Sequence, residues 1–412
     1  MIINNKKKKL ANRIIITLSV LFISRIGIFI PIPGIDQTQL ATTISQNKVI
    51  NFLNVFSGGG FSTIGVFSLG IIPYINSSIV TQLLVKVIPA LEEIQKNEGE
   101  LGKQKINNIT RYLALGWGIL QSISIGLWIK PYTFEWNTYF LLDTIITLTT
   151  GSIIMMWFAE IITEYGIGNG TSMLIFQNII SNIPKNISNY KINSFNSQLA
   201  NIILLMASIV IFIINIIIQD SKRKIEIVSS KELGETNKLL TQNYIPLKLN
   251  QGGVMPIIFA SATIAIPQYA KLGENIINKN NLIQILVSSN LFYLFTYSIL
   301  IIMFSYLYSS IILNIDDMAE NLQKVGASIP NIRPGKETIL YLKRIINQLT
   351  FIGSIFLFII AQFPLILANI TKINLLQGLG TTSLLILVGV AIDTAKQIQT
   401  YIISEQYDNI ME

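Results

Sequence analysis

The stretch from Phe52 to Ala90 constrains the fold more than any other part of the sequence. It begins as an apolar helix, breaks at a Ser-Gly-Gly-Gly run over 57–60, resumes, and then runs as an unbroken apolar segment from Leu69 to Ala90. A bilayer core of about 30 Å needs roughly 20 apolar residues in a helix, so the first part is too short to span it. Irregular backbone at membrane depth is tolerated only where protein buries it or where it lines a watery cavity. The sequence therefore predicts a re-entrant segment beside a cavity.

The composition places the chain in the membrane and narrows its chemistry. Hydrophobic residues make up 51% of the 412 and charged residues 13%, against roughly 25% charged in soluble domains. The chain has no cysteine and no histidine, which excludes thiolate or imidazole metal sites, disulfides and Cys/His nucleophiles. We therefore predict a polytopic membrane protein that is not an enzyme, with no cofactor, no metal and no catalytic residue.

The first thirty residues resemble a secretory signal, because four lysines and Arg13 precede an apolar run from Ile14 to Ile30. The segment that follows, Pro31-Ile-Pro-Gly34, has no small-x-small cleavage pattern. We therefore expect the apolar run to be retained as the first membrane span.

Sliding-window hydropathy predicts an all-α architecture with ten membrane-spanning helices. They are Ile14–Ile30, Ile72–Ala90, Ile109–Ile129, Tyr139–Ile161, Thr171–Ile183, Leu199–Ile218, Gly253–Tyr269, Leu291–Leu313, Leu349–Ala368 and Leu375–Ala395. With ten crossings both termini lie on one side, which we call cis. Positive residues on the other, trans side are limited to Lys48, Lys130, Lys185, Lys191, Lys271, Lys279 and Lys372. The positive-inside rule therefore puts both termini in the cytoplasm, or in the stroma of an organelle.

The ten spans divide into two groups of five, within residues 1–184 and 185–412. Because five is odd, a second half that resembles the first would insert upside down, as in the inverted repeats of many transport proteins. The two halves have no convincing sequence similarity, so the inverted repeat is an architectural hypothesis.

Two long polar segments on the cis side, residues 219–251 and 314–348, are rich in lysine and arginine; we call them the cis loops. Such loops suit a large, often acidic partner on the synthesis side, such as a ribosome or a motor ATPase, although any cis loop tends to be basic. In the second loop Pro330 and Pro334 flank Arg333, and proline on both sides stiffens the tip. A stiff tip that presents Arg333 and Lys336 is a candidate docking site, with an ordinary solvated loop as the alternative.

Residue spacing offers two weaker candidates. Ile71 and Ile75 share a helix face, and branched apolar side chains can close a pore by excluding water. Ordinary packing explains most such pairs in a chain this rich in isoleucine.

Arg25 lies inside the first span, where a central charge costs about 2.5–3.5 kcal/mol on insertion scales. It either holds another segment or faces a watery funnel, or it reaches past Ile30 to the trans interface.

Two other functional classes compete with a pore. A secondary carrier of small solutes usually needs a carboxylate near the membrane midplane, whereas Asp143, Glu160 and Asp393 lie near span ends. A membrane enzyme, such as a lipid transferase, would have to place its catalytic residues in the cis loops. Neither class accounts for the glycine-broken re-entrant segment.

Several segments, in order and over nearly the whole chain, resemble signature segments of the SecY family, the central subunits of protein-conducting channels. The segments are Pro31-Ile-Pro-Gly-Ile35, Phe56-Ser-Gly-Gly59, Leu69-Gly-Ile-Ile-Pro-Tyr-Ile75, Gly166-Ile-Gly-Asn-Gly170, Ile245-Pro-Leu-Lys-Leu-Asn250, Pro256-Ile-Ile-Phe-Ala260, Ile332-Arg-Pro-Gly335 and Thr382-Ser-Leu-Leu-Ile386. The resemblance implies an hourglass pore between two five-helix halves, which opens across the membrane for secreted chains and sideways into lipid for membrane proteins.

Residues that match the family's functional positions follow from the same resemblance. It implies a constriction ring of Ile71, Ile75, Ile175, Ile258, Ile266 and Ile386. It also implies a plug over about Asn54–Gly65, including Phe56, Ser57, Gly58, Gly59 and Gly60. It places Gln82 and Asn250 at a lateral gate, and Arg223, Lys224, Arg333 and Lys336 at the contact with a SecA motor or a ribosome. Lys224 stands where the family commonly has arginine, so it keeps the charge but loses the bidentate fork.

The resemblance also implies partners and a location. The partners are a SecE-like subunit that clamps the halves, a SecG-like subunit, the SecA motor, the ribosome, signal-bearing precursor proteins and membrane lipid. The amino-acid sequences of residues 250–256 and 388–393 are similar to those of plastid-encoded members of the family. This implies the thylakoid membrane with both termini in the stroma, the alternative being a bacterial plasma membrane with both termini in the cytoplasm.

Overall fold

The computed structural model describes residues 2–40, 57–188, 206, 209–210, 212–229, 243–253, 255–257, 259–260, 263, 290–371 and 381–411. Long helices dominate it, as the sequence predicts. The helices are α1 (Ile2–Ile28), α2 (Gly60–Thr63), α3 (Ile72–Val87), α4 (Pro89–Asn97), α5 (Gly99–Ile129), α6 (Thr138–Tyr165), α7 (Gly170–Ser188), α8 (Asn290–Ile312), α9 (Ile315–Lys324), α10 (Lys336–Thr371) and α11 (Thr381–Met411).

Membrane-spanning helices account for most of this structure. Within the described residues, five helices are long and apolar enough to cross a bilayer, and a sixth is obtained if the bent pair α3 and α4 counts as one span. The predicted fifth span coincides in position with the helix α7, which is not among these helices. The predicted sixth and seventh spans and the start of the tenth fall partly outside the described residues, so the total of ten stays a prediction. The chain is a multi-pass membrane protein.

The second span is shorter than predicted, because it does not run unbroken from Leu69 to Ala90. The helix α3 begins at Ile72 and ends at Val87, and the chain then bends by 103° into α4. Pro89 disfavours helical backbone at the residue before it, and Ile88 is extended, with φ −99° and ψ 107°. The predicted boundary at Ala90 was wrong because proline ends this helix earlier than hydropathy does.

The cis loops contain short strands that the all-α prediction did not include. In the first loop β1 (Lys222–Glu226) pairs antiparallel with β3 (Tyr244–Lys248). A further strand, β2 (Val228–Ser229), pairs with β4 (Ala327–Ser328) of the second loop. The pairing joins both cis loops into one folded unit over an apolar cluster that contains Ile225, Leu247, Ile329 and Leu342.

Candidate functional site

The isoleucines predicted to form a constriction come together in the structure. Ile71 caps the start of α3 and Ile75 lies one turn further on, while Ile175 is on α7 and Ile386 on α11. All four are buried, with exposed fractions of 8% or less, and belong to one apolar cluster. Ile258 and Ile266 lie outside the described residues. Helices that are distant in sequence therefore meet in a packed apolar cluster of branched side chains.

Neighbours on the seventh predicted span complete the same cluster. Ile257 and Phe259, which flank Ile258 in sequence, are both buried in it. The ring of Phe259 packs edge-on against Phe304, with 5.9 Å between the ring centroids. Both halves of the chain thus contribute to the closed apolar cluster.

The re-entrant segment is divided at Gly60 into two parts with different surroundings. From Gly60 onward it is built into the protein, since Val66 N donates to Ile30 O at 2.9 Å and Ile32 N donates to Ile64 O at 3.1 Å. A β-carbon on Gly65 would lie 2.0 Å from Ile28 O, so this close approach requires glycine. The structure therefore separates residues 60–65 from the turn at 57–59, whereas the sequence prediction treated 54–65 as one plug.

Two apolar side chains anchor this later part. Phe61 and Ile64 are 2% and 0% exposed and lie in a cluster with Ile35, Ile129 and Leu148. This cluster lies where α5 ends and the chain after α1 crosses over, on the trans side. Residues 54–56, including Phe56, lie outside the described residues.

The turn before Gly60 is held by polar groups. The Arg25 guanidinium on α1 donates a hydrogen bond to Gly58 O and lies 4.6 Å from the ring centroid of Phe29. Of the alternatives for Arg25, the structure supports the one in which it holds another segment. Gly58 has a φ of +69°, which favours glycine.

The sequence analysis did not identify two further residues that border the turn 57–59. A β-carbon on Gly58 would lie 2.6 Å from Oδ1 of Asn178, and one on Gly59 would lie 3.6 Å from Oδ1 of Asn182. Both asparagines are on α7 and are buried. Two asparagines four residues apart within an apolar helix share a face, and that spacing was the available signal. Arg25, Asn178 and Asn182 surround the turn 57–59, and we call them the turn cradle.

The two predicted lateral-gate residues lie at separate positions. Gln82 lines a small apolar cavity with Phe259, Phe304 and Tyr308, and its Nε2 donates to Ser78 Oγ at 3.2 Å. Asn250 is buried in the turn after β3, where its Nδ2 donates to Gly253 O at 2.7 Å. Tyr308 lines the cavity beside Gln82 and also the one beside Asn250. The structure thus relates the two residues through Tyr308 and not through direct contact.

A larger cavity of about 280 Å³ opens beside Asn250. We call it the cis cavity. Its lining includes Ile386 of the apolar cluster, Ser172 of α7, and the polar residues Gln219 and Gln251. It therefore connects the first cis loop to the apolar cluster.

Two ion pairs lie beside the cis cavity, and one of them, Lys248 with Asp393, lines it. Lys396 Nζ on α11 lies 2.6 Å from Asp220 Oδ1, and Lys248 Nζ lies 3.9 Å from Asp393 Oδ1. The hydrogen bond from Lys396, followed by its charge, lowers the pKa of Asp220. Both pairs tie α11 to the first cis loop at the end of the hairpin where β1 begins and β3 ends. Among the described residues, no group of three or more acidic side chains could hold a metal ion.

The predicted partner-contact residues are exposed on the cis loops. Arg223 and Lys224 are on β1, and Lys224 Nζ lies 4.7 Å from the ring centroid of Tyr244. Arg333 lies in a folded tip, since its backbone N donates to Glu337 and its carbonyl oxygen accepts from Thr338 Oγ1 at 3.0 Å. The four charges therefore project from a defined surface.

Comparison with known protein sequences gives consistent results. The family model SecY matches residues 65–395. A relative from Pyropia yezoensis, described as protein translocase subunit SecY, is 54% identical over 98% of this chain and 99% of its own length. A relative of the same description from Synechocystis sp. is 44% identical over 98% of this chain and 94% of its own.

Solved structures share the fold. One described as the structure of a protein conducting channel superposes with a TM-score of 0.68 at 19% identity, covering 96% of this chain and 94% of the other. Another, described as Sec61 in the canine ribosome-channel complex from the endoplasmic reticulum, gives a TM-score of 0.66 at 20% identity, covering 96% and 94%. At this identity the likeness concerns the arrangement of the helices.

Proposed function

The chain belongs to the SecY family, and from this premise we propose that it is the central subunit of a protein-conducting channel. It moves unfolded polypeptides across the membrane and releases membrane segments sideways into lipid. The observation that carries the proposal is the apolar cluster in which Ile71, Ile75, Ile175 and Ile386 meet. Relatives named protein translocase subunit SecY support it over almost the entire length.

The four isoleucines act as a gate together with Ile258 and Ile266. Branched apolar side chains exclude water and ions from a narrow constriction and move aside for a bulky solute. A chain of any sequence can pass, because the ring makes no specific polar contact that a client must match.

The turn 57–59 acts as the movable part of the plug. Residues 60–65 stay in place, since Phe61 and Ile64 are fully packed and the backbone is bonded to residues 30–32. Opening then breaks the polar contacts of the turn cradle and those of Ser57 with Gly60 and Phe61. This requires far less reorganisation than withdrawing a buried aromatic side chain.

Gln82 and Asn250 flank a lateral gate between the second and seventh spans. A hydrophobic signal segment that enters beside them binds the open state better than the closed one, and so shifts the equilibrium toward opening. The two halves that separate are residues 1–184 and 185–412. The apolar lining of the cavity beside Gln82 supports this assignment.

Energy for directional transport comes from outside the chain, because a pore of this kind performs no covalent chemistry. Arg223, Lys224, Arg333 and Lys336 contact a SecA-like motor or the ribosome, and their exposure on one folded unit supports the proposal. A structure with the same fold was solved in a ribosome-channel complex. SecE-like and SecG-like subunits complete the channel.

The thylakoid membrane of a plastid is the proposed location, with both termini in the stroma. Relatives from Pyropia yezoensis and Porphyra purpurea, each 54% identical, support it, and so does the cyanobacterial relative. The bacterial plasma membrane, with cytoplasmic termini, is the alternative.

Site-specific crosslinking tests the function directly, because the chain has no cysteine of its own. A single cysteine placed at Ile75 carries a photo-crosslinker, and a signal-bearing precursor is stalled during transport. We expect crosslinks from many positions of the precursor, which disappear without the signal or the motor. A cysteine at Ile146, which is 61% exposed on the outer face of α6, is the matched control and should not crosslink. Active transport without crosslinking at Ile75 would contradict the pore and favour a solute carrier or a membrane enzyme.

A further inference from the structure

Two amide groups in the wall of the cis cavity have unused hydrogen-bonding capacity. The Nε2 atoms of Gln219 and Gln251 are buried and have no hydrogen-bond partner within the described part of the chain. Gln219 is the second-last of the helical residues 212–220, and Gln251 lies in the turn that follows β3. A buried donor without a partner costs about 1–3 kcal/mol, so such donors usually mark a place where water or a ligand supplies an acceptor.

The position of these donors connects them to the apolar cluster. Both residues line the cavity of about 280 Å³ whose wall also contains Ile386 and Val390, and both of these side chains belong to the apolar cluster. A polypeptide that approaches the ring from the cis side through this cavity passes the two glutamines first.

The chemistry of the cavity favours a neutral acceptor over an ion. The charged groups beside the cavity are already paired with each other, as Lys396 with Asp220 and Lys248 with Asp393. Ser172 adds a further neutral hydroxyl to the lining. The groups without a hydrogen-bond partner are therefore the amide N–H donors of Gln219 and Gln251. Such donors bind carbonyl oxygens well and distinguish poorly between charged ligands.

We infer that Gln219 and Gln251 form a subsite for the backbone carbonyl groups of the polypeptide in transit, just before it reaches the ring. This inference rests on the proposed function. A channel that accepts many clients has to contact a group that all clients carry, and every residue has a main-chain carbonyl. An extended chain presents a carbonyl about every 3.3 Å, so the donors stay in use as the chain advances.

Crosslinking from the cis cavity tests the subsite. A cysteine at Gln251 with a photo-crosslinker is expected to capture a stalled precursor, and to do so equally for two precursors of unrelated sequence. The matched control is a cysteine at Gln104, which is exposed on α5 outside the cavity. It should give no signal-dependent crosslink.

Substitution of the donors tests their contribution to binding. Gln219→Leu and Gln251→Leu keep the bulk of the side chain and remove the donors. We expect each to raise the precursor concentration for half-maximal transport about threefold, the size of one ordinary hydrogen bond, with an unchanged maximal rate. A higher half-maximal concentration with an unchanged maximal rate indicates that the substitution weakens precursor binding equally in the ground state and in the transition state. Gln104→Leu should change neither quantity.

The outcomes separate this inference from the proposed function. Crosslinks at Ile75 without crosslinks at Gln251 would overturn the subsite and leave the channel standing. Capture that differs strongly between the two unrelated precursors would also overturn it, because side chains would then be recognised. A failure to crosslink at both positions during active transport would contradict the channel itself.

Discussion

The guanidinium of Arg25 donates a hydrogen bond to the carbonyl oxygen of Gly58. A charged group in the first span thus ends on the turn 57–59 of the re-entrant segment, and the buried Asn178 borders the same turn. The cost of placing arginine within the membrane is offset by a charge-assisted hydrogen bond that exists only while the turn is in place. The position of the turn 57–59 therefore depends in part on polar contacts.

Removing the Arg25 contact should make the closed channel leak. A hydrogen bond from a charged donor contributes about 1.5–3 kcal/mol, so Arg25→Gln should raise resting ion leakage about tenfold or more. The leakage is measured as dye or ion efflux from vesicles in the absence of precursor. Lys130→Gln removes a trans-side charge that lies near Trp136 and not near the turn, so it serves as the control. Vesicles with Arg25→Gln that stay as tight as wild type, at equal protein content, would argue against this role.

A side chain at Gly58 should have the same effect for a steric reason. In Gly58→Ala the β-carbon would lie 2.6 Å from Asn178 Oδ1 and 2.8 Å from an Arg25 guanidinium nitrogen, so the turn and these side chains have to move apart. Gly99→Ala is the matched control, since Gly99 also has a positive φ, +57°, but open space around it. Both variants carry backbone strain of about 1–2 kcal/mol, yet only Gly58→Ala should increase leakage. Equal leakage from both would indicate general destabilisation.

Truncating Phe61 should destabilise the protein and not merely loosen the plug. Phe61 is 2% exposed within the trans cluster, and removing a buried phenyl ring typically costs about 3–5 kcal/mol. We expect Phe61→Ala to lower the midpoint of thermal unfolding in detergent clearly. Phe134→Ala, at a trans position that is 74% exposed, should leave it almost unchanged. If Phe61→Ala only increased leakage at normal stability, residues 60–65 would belong to the movable part.

Reversing the charge of Arg333 should weaken partner binding. Arg333→Glu is expected to reduce the affinity of a motor or ribosome for the channel about fivefold at low salt, the scale of one exposed ion pair. The difference should shrink as salt screens the charges. Binding to channel-containing vesicles is measured by flotation over a salt series. Lys105→Glu changes a residue already paired with Glu98 at 2.7 Å, and similar losses in the two variants would mean a non-specific charge effect.

Much of the helical framework could be predicted from sequence, since membrane spans need long apolar segments. The apolar windows and the trans-side scarcity of lysine and arginine located α1, α5 and α6. The glycine-containing segment 166–169, one of the segments that resemble the family, separates α6 from α7. Spacing along one helix paired Ile71 with Ile75, but only the resemblance to a family joined them to Ile175 and Ile386.

Contacts between distant segments could not be predicted in this way. Asn178 and Asn182 look like ordinary polar residues in a helix until the turn of another segment is packed against them. The strands β2 and β4 have two residues each, which is too short for any alternating pattern, and their pairing depends on a partner far away in the sequence. Hydropathy likewise missed the bend at Ile88, because proline geometry and not polarity ends α3.

The pairing of β2 with β4 has a mechanical consequence. The tip at Arg333 is bonded back to Ile329 beside β4, while β2 is separated by one residue from β1, whose partner β3 leads into the turn at Asn250. The two cis loops are consequently joined by paired strands. We expect a force on the Arg333 tip to reach the start of the seventh span through this pairing.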